Sequence, residues 1–574
     1  MTVPPRDPDV DAPRTPRPPA RPRRPGRRGA PPGSRAGRAS PRRSALRSSR
    51  ARALRPRRRP GPRRGALARR GDRVRSGARF GGPRASGVPI TADSVFRIAS
   101  TSKQFTAASV LLLVEDGKLG LDTPLVELFP EFANMAAFEP TVRLRHLVSH
   151  TSGLPDYLWT MQLAGKDDGT IYTLDEVLAQ LARIERPLFP AGERFAYSNT
   201  NYLLLGEIVH RVSGRSLRRF AQERIFAPLG MEHTHFHDRR EELVPNRALG
   251  YDEERDAWVL STTPLELVGD GGVFTTVGDL FLWAQQFRGD GHGPQVFDAE
   301  ARALQLRPFE TTSGRNTDYA FGLDVERIEG GTLVRHGGAF VGYRAELVHC
   351  PEQGYGCAVL MNRADGRPDR LADDLLRAMG CEAVGVEEEG PRGGPPEHPE
   401  LPEWVRLVRG VWVADDGAPP MRVARSARAV VVERGGETLR FHLAADGELR
   451  TEDGAWRLEA QPPRPDSQES SHVVLHGPGG AVVYRRAGPW TEEDWATFLG
   501  TYRCVELGCT WVVRREDDRF VIDTPGGGRL TGTIEGSGVV RGPAGGMLAR
   551  DGSGRWILES PTVGRLTLVP TARD

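Results

Sequence analysis

Between residues 88 and 100 the chain changes character, and that break decides which parts of it can fold. Upstream, from Thr2-Val3-Pro4-Pro5 through Arg57-Arg58-Arg59 to Gly81-Gly82-Pro83, there is no apolar periodicity. Such a segment cannot bury enough surface to offset the entropy of ordering it, so residues 1–88 are expected to be a disordered Arg/Pro-rich extension. The first 90 residues hold 27 Arg against four Asp, with no Glu or Lys, so the whole-chain charge of +4 hides about +23 here and about −19 elsewhere. No nucleic-acid partner is expected for the acidic body, and the basic stretch lacks the interleaved aromatics of an RNA-binding tail. No apolar run approaches the roughly 18 residues of a membrane span. Nor does an apolar core follow the arginines as in a signal peptide, so no compartment is assigned. At 574 residues the chain exceeds one hydrophobic core, and several domains are expected.

Folded sequence opens at about residue 89 and leads through Phe96-Arg97-Ile98-Ala99 into Ser100-Thr101-Ser102-Lys103. Phe105, Ala108, Val110, Leu111, Leu112 and Val114 predict a helix stopped by Glu115-Asp116-Gly117, with Ser100 at its N-terminus. Ser100 and Lys103 then share one face, one turn apart. A serine hydroxyl is a poor nucleophile until a base takes its proton; a desolvated lysine can be that base and an arginine cannot. Lys103, Lys118 and Lys166 are the only lysines in the chain, so chance supplies S-x-x-K only roughly 0.2 times. Read alone, the motif is equally a capping Ser with a solvated Lys.

About one hundred residues on, Phe195-Ala196-Tyr197-Ser198-Asn199 presents Y-x-N before a helix carrying Leu203, Leu204, Leu205 and Ile208. A phenol near the Ser–Lys pair can relay a proton to a leaving group, and an amide can orient the lysine and a substrate carbonyl. Alone, this too reads equally as an ordinary loop. A third element, Val334-Arg335-His336-Gly337-Gly338-Ala339-Phe340, reads as a strand edge whose small residues let a substrate backbone lie against it.

In that order, Ser-x-x-Lys, Tyr-x-Asn and a Gly-containing strand resemble the penicillin-recognising serine hydrolases, the superfamily of β-lactamases and penicillin-binding proteins. Leu147-Val148-Ser149-His150-Thr151-Ser152-Gly153-Leu154-Pro155-Asp156-Tyr157, Pro228-Leu229-Gly230-Met231 and Gly269-Asp270-Gly271-Gly272 narrow the resemblance. They are similar to the branch of class C β-lactamases, D-aminopeptidases and D-alanyl-D-alanine carboxypeptidases. The resemblance implies an α/β catalytic domain over residues 89–384, an antiparallel sheet flanked by helices. It implies that Ser100 is the nucleophile, that Lys103 and Tyr197 share the base and acid roles, and that Asn199 positions substrate and Lys103. His336, Gly337, Gly338 and Ala339 would bind substrate, with the amides of Ser100 and Ala339 as oxyanion hole, and no cofactor is required. Class C β-lactamases usually carry Lys-Thr-Gly where this chain has His336-Gly337-Gly338, and a His is a less certain carboxylate anchor than a Lys. The implied activity is hydrolysis of a D-amino-acid peptide, amide or ester, with a small molecule or short peptide as partner. The alternatives are action on β-lactams or peptidoglycan peptides, and an inactive member that binds peptidoglycan fragments or a partner.

Family members place a helix and two strands ahead of the nucleophile segment, and residues 30–86 show neither pattern. Part of the central sheet is therefore expected to be missing, and the stretch reads as an out-of-frame or misassigned start. Downstream, Glu387-Glu388-Glu389-Gly390-Pro391 marks a linker at 385–400, after which short alternating strands predict an all-β region. The openings Val408-Arg409-Gly410-Val411-Trp412 and Phe498-Leu499-Gly500-Thr501-Tyr502 echo each other, implying barrels at 401–490 and 491–574 or two halves of one. This region resembles the lipocalin-like barrels appended to D-aminopeptidases, with a role in substrate access or packing.

His233, His235 and His237 alternate along a strand and read as family strand sequence, because no carboxylate or Cys joins them at ligand spacing; no metal site is expected. His150 reads as a structural loop residue and Thr276 as a helix cap for Asp279. Among five cysteines, Cys350 with Cys357 and Cys504 with Cys509 either form cross-strand bridges or, the more frequent case, are buried thiols, as is Cys381.

Overall fold

An antiparallel sheet is the frame on which the region up to Cys381 is built. The computed structural model describes residues 63–67 as backbone, 89–381 and 408–571, apart from 136–137, 139–140, 255–256, 289–293, 329, 415–417, 426–428, 435–436, 445–447, 452–453, 461–471, 479, 518, 552 and 554. The linker expected at 385–400 and most of the N-terminal extension lie outside these residues. The five strands run in the order Arg63–Leu67, Tyr355–Met361, Tyr343–Cys350, Gly331–Phe340 and Asp324–Ile328. The helix Pro368–Ala378 lays Ala372 and Leu376 against Leu333, Val348 and Val359 of the sheet. A second, larger core holds Val334, Ala345, Leu347 and Leu360 together with the helix Lys103–Glu115.

One expectation is corrected here. Arg63–Leu67 pairs with Tyr355–Met361, with Arg63 opposite Leu360 and Leu67 opposite Gly356, so the sheet carries an outer strand inside the segment read as devoid of elements. Edge pairing uses backbone N–H and C=O groups that any sequence supplies, so a missing apolar pattern does not exclude it.

The helix Lys103–Glu115 is buried from Lys103 through Leu113. It is a central helix, enclosed on every side, rather than a surface helix with one apolar face. Its first residue is therefore a lysine with nowhere to reach water. The helix Asn199–Ser213 packs beside it, and Gly214 ends that helix with φ 69°, the left-handed conformation that glycine adopts without strain.

The C-terminal region is two closed barrels of eight antiparallel strands, not two halves of one. The first closes by pairing Trp412 with Arg486, the second by pairing Tyr502 with Pro570. Side chains fill both interiors: Trp412, Met421, Phe441 and Tyr484 in the first, Trp511, Phe520, Trp556 and Leu568 in the second. At this strand number the lumen is just wide enough for side chains. The second barrel is anchored to the catalytic region through Leu163, at the end of the helix Tyr157–Leu163, which lies in the barrel's own core. The Trp511 indole donates to the Leu163 carbonyl at 2.9 Å.

All five cysteines are free thiols. Cys350 lies opposite Tyr355 and Cys357 opposite Val348, so that pair is out of register for a bridge. Cys504 faces Cys509 directly but remains reduced. Among the described residues no helix is long and apolar enough to cross a membrane.

Candidate active site

Ser100 stands in a short turn of 3-10 helix, Ala99–Ser102, that runs into the helix Lys103–Glu115. The residue before it, Ala99, has φ 47°, a left-handed conformation that costs a non-glycine residue about 1 to 3 kcal/mol. The turn is pinned on both sides, with Ile98 N–H donating to the Val273 carbonyl at 3.0 Å and the Thr101 hydroxyl to the His336 carbonyl at 3.2 Å.

Lys103 Nζ donates to Ser100 Oγ at 3.2 Å, to Asn199 Oδ1 at 2.8 Å and to the Asp270 carbonyl at 2.8 Å. These three acceptors match the three protons of an ammonium. Complete burial pushes the Lys103 amine down to about 8, against the opposing charges of Asp270 and Asp156. A substantial fraction of neutral amine near neutral pH, touching a serine hydroxyl, is what a general base requires.

The Tyr197 phenol interacts with Ser100 and is pushed well above its ordinary value by burial, so it stays protonated. Its ring lies 4.8 Å from Lys103 Nζ and is tilted against His150 with centroids 4.3 Å apart. His150 takes the place of a brace: its Nδ1 accepts from Ser198 N–H at 3.2 Å and lies 3.1 Å from the Asn201 amide nitrogen.

Two acidic residues that sequence reasoning missed complete the cluster. Asp156 Oδ2 accepts from both the backbone N–H and the side-chain amide of Asn199, at 2.7 and 2.8 Å, fixing the amide so that Oδ1 faces Lys103. The other oxygen of Asp156 caps the helix Tyr157–Leu163 through Trp159 N–H, and its own N–H donates to the Thr562 carbonyl of the second barrel at 2.8 Å. Asp270 contributes its carbonyl to Lys103 and its carboxylate to the Tyr157 hydroxyl at 3.1 Å. The turn that carries it approaches closely because Gly269 has no side chain; a Cβ there would stand 2.2 Å from the Tyr202 carbonyl. The signals were the Asp of Leu154-Pro155-Asp156, placed as a helix cap, and the glycines around Asp270.

The Asp156 charge raises the Lys103 pKa, so Asp156→Asn should move the acid limb of the kcat/KM profile to lower pH. Loss of a charge-assisted hydrogen bond to Asn199 should also lower plateau kcat about tenfold. An unmoved limb in stopped-time pH–rate assays would show that Asp156 does not set the Lys103 charge.

The strand Gly331–Phe340 brings up the third element. Gly338 meets the Ser100 turn so closely that a Cβ would stand 2.0 Å from the Ile98 carbonyl. Pairing with Asp324–Ile328 ends at Arg335, so residues 336–340 present an edge without a partner strand on that side among the described residues. On the other side the hairpin closes on Phe340 opposite Tyr343 around Val341-Gly342. Antiparallel alternation then turns the Ala339 N–H away from Tyr343–Cys350, toward that open edge. Ser100, in the first turn of its helix, has no intrahelical acceptor for its N–H.

His336 is buried, and its ring makes two contacts within the protein. Nδ1 donates to the Gly337 carbonyl at 2.6 Å, which leaves Nε2 to accept from the Tyr319 hydroxyl at 3.0 Å. Burial, with Lys103 nearby, pushes the imidazole down to about 3. The ring is therefore neutral near pH 7. The histidines at 233, 235 and 237 stand apart from this cluster, His233 exposed and His237 bonded through its N–H to the Gly272 carbonyl at 2.9 Å.

Comparison with known proteins sets this geometry in context. A penicillin-binding protein of Bacillus subtilis is 32% identical over 276 residues, 45% of this chain and 59% of that protein. A D-aminopeptidase of Cereibacter sphaeroides is 27% identical over 379 residues, 64% of this chain and 65% of that protein. A D-aminopeptidase of Gluconobacter oxydans is 25% identical over 482 residues, 83% of each. The chain spans less than two thirds of the length of the first two. The Beta-lactamase family profile matches residues 55–380, a span that takes in the outer strand, the Ser100 turn and the His336 strand. With more than half of its length matched in this way, the chain belongs to the beta-lactamase family.

Proposed function

We propose that the chain is a serine hydrolase that cleaves amides or esters of D-amino acids through an acyl-enzyme on Ser100. The observation that carries the reading is Lys103, buried, shifted down to about 8 and 3.2 Å from the Ser100 hydroxyl. Neutral Lys103 takes the Ser100 proton as Oγ bonds to the substrate carbonyl carbon. The N–H groups of Ser100 and Ala339 receive the developing oxyanion. Collapse breaks the C–N or C–O bond, and the proton reaches the leaving group through the Tyr197 phenol, which regains one from Lys103. Water then enters by the same relay in reverse and releases the acid.

The substrate class is supported by His336. With that ring neutral and engaged by Gly337 and Tyr319, the strand triad offers no cation to a substrate carboxylate. This favours amides and esters over penicillins, and two of the relatives above are D-aminopeptidases.

A fluorophosphonate probe should label Ser100, identified by peptide mass spectrometry, and Ser100→Ala should abolish the label. In a panel of D- and L-amino-acid amides, short esters and a chromogenic cephalosporin, D-amides and esters should turn over fastest. A chain that never labels is a binder rather than an enzyme; a cephalosporin preferred over every amide makes it a lactamase.

A further inference from the structure

Outside the catalytic cluster, one group of side chains among the described residues has the makings of a metal site. His235 opens the short strand His235–Phe236 and His237 follows it directly; Phe236 is buried in the core, and the two histidine rings meet with centroids 5.6 Å apart. Their rings converge: His235 Nε2 lies 3.4 Å from His237 Nδ1. For an ion bonded to two imidazoles at 2.0–2.1 Å, the edge of a tetrahedron is about 3.3 Å, so this pair is already at ligand spacing. No carboxylate joins them at ligand spacing in the sequence. The fold supplies one, because the chain turns back at Arg239, whose carbonyl accepts Glu242 N–H at 3.1 Å, and Glu242 returns to the pair. One ligand atom from each of His235, His237 and Glu242 falls within 4.8 Å of the others.

We propose that His235, His237 and Glu242 bind a divalent transition ion of the zinc type, with water completing the coordination. Two imidazole nitrogens and one carboxylate oxygen select Zn²⁺ or Co²⁺ over Mg²⁺ or Ca²⁺, which prefer all-oxygen sets. Arg218 holds Glu242 through both carboxylate oxygens and also pairs with Asp238 at 3.0 Å. Each carboxylate oxygen keeps a second lone pair, so Arg218 orients Glu242 as an outer-sphere partner while one oxygen bonds the ion. The Phe274 ring, stacked at 6.0 Å on His235 and tilted at 4.8 Å against His237, backs the pair. The site adjoins the turn that serves Lys103, since the His237 N–H holds Gly272 and the Asp270 carbonyl holds Lys103. An ion here ties the 237–242 loop to the sheet beside that turn.

The full chain, stripped with chelator and dialysed against Co²⁺, should take up one tight equivalent with the visible absorption of a four-coordinate site. His235→Ala and His237→Ala should weaken binding at least about 100-fold and Glu242→Gln about 10-fold, and the ion should raise the Tm of the parent chain only. Equal uptake by parent and variants overturns the site, as does the absence of a tight equivalent in the parent. If the variants fail to fold, carbethoxylation of the parent decides: Co²⁺ should protect His235 and His237, and unprotected histidines refute the proposal.

Discussion

Replacing Lys103 by Arg should slow acylation of Ser100 and lower kcat/KM by about 10² to 10⁴-fold, the range that a positioned acid–base group supplies. Arginine keeps the positive charge and reaches the same pocket, but its guanidinium does not give up a proton near neutral pH. The variant therefore separates charge from basicity. The parent chain carries the matching signature. With the amine pushed down to about 8 by burial, only its deprotonated form can accept the serine proton, so kcat/KM should rise tenfold per pH unit up to about 8 and level off above it. Steady-state rates from pH 5 to 9 read this directly. A flat profile, or turnover retained by Lys103→Arg, would remove Lys103 from the role of base.

Gly338→Ala should cost nearly as much for a different reason. The added methyl would stand 2.0 Å from the Ile98 carbonyl and 2.8 Å from the Thr101 hydroxyl, both on the nucleophile turn, and neither the carbonyl nor its strand can move away freely. Overpacking of this kind costs about 1 to 3 kcal/mol of stability. The strand also carries the Ala339 amide, and withdrawing one oxyanion donor costs about 10² to 10³ in kcat. Thermal melting and single-turnover acylation should thus both respond. A variant that melts lower but acylates at the parent rate would show that the strand edge does not serve the reaction.

What could be read in advance follows the range of the interactions. Ser100 with Lys103, and Tyr197 with Asn199, are set by spacing within a turn of chain, and the sequence displays such spacing openly. Asp156 and Asp270 act across 43 and 167 residues, the first through an Asn amide and the second through a backbone carbonyl that every residue possesses. No pattern of side chains announces a carbonyl. The His235–His237 pair was visible as an alternation, but Glu242 joins it only once the loop has turned. The strand Arg63–Leu67 is joined to the sheet by main-chain pairing, which composition does not report. The echo between Val411-Trp412 and Thr501-Tyr502 left one barrel or two open, because closure is a pairing of first strand with last and each strand alone reads the same in either arrangement.

The bond from Asp156 to Thr562, and the seat of Leu163 inside the second barrel, bear on how such a protein can be recombined. Along the chain the barrel looks like a cassette, detachable at its start. In three dimensions its boundary cuts through the helix Tyr157–Leu163, whose first turn is capped by the carboxylate that orients Asn199. An exchange of barrels between relatives would have to carry that helix with it, or leave the lysine's amide partner held from one side only. Inheritance of the C-terminal barrel should thereby be coupled to inheritance of a distant segment, whose Leu163 lies 348 residues before Trp511.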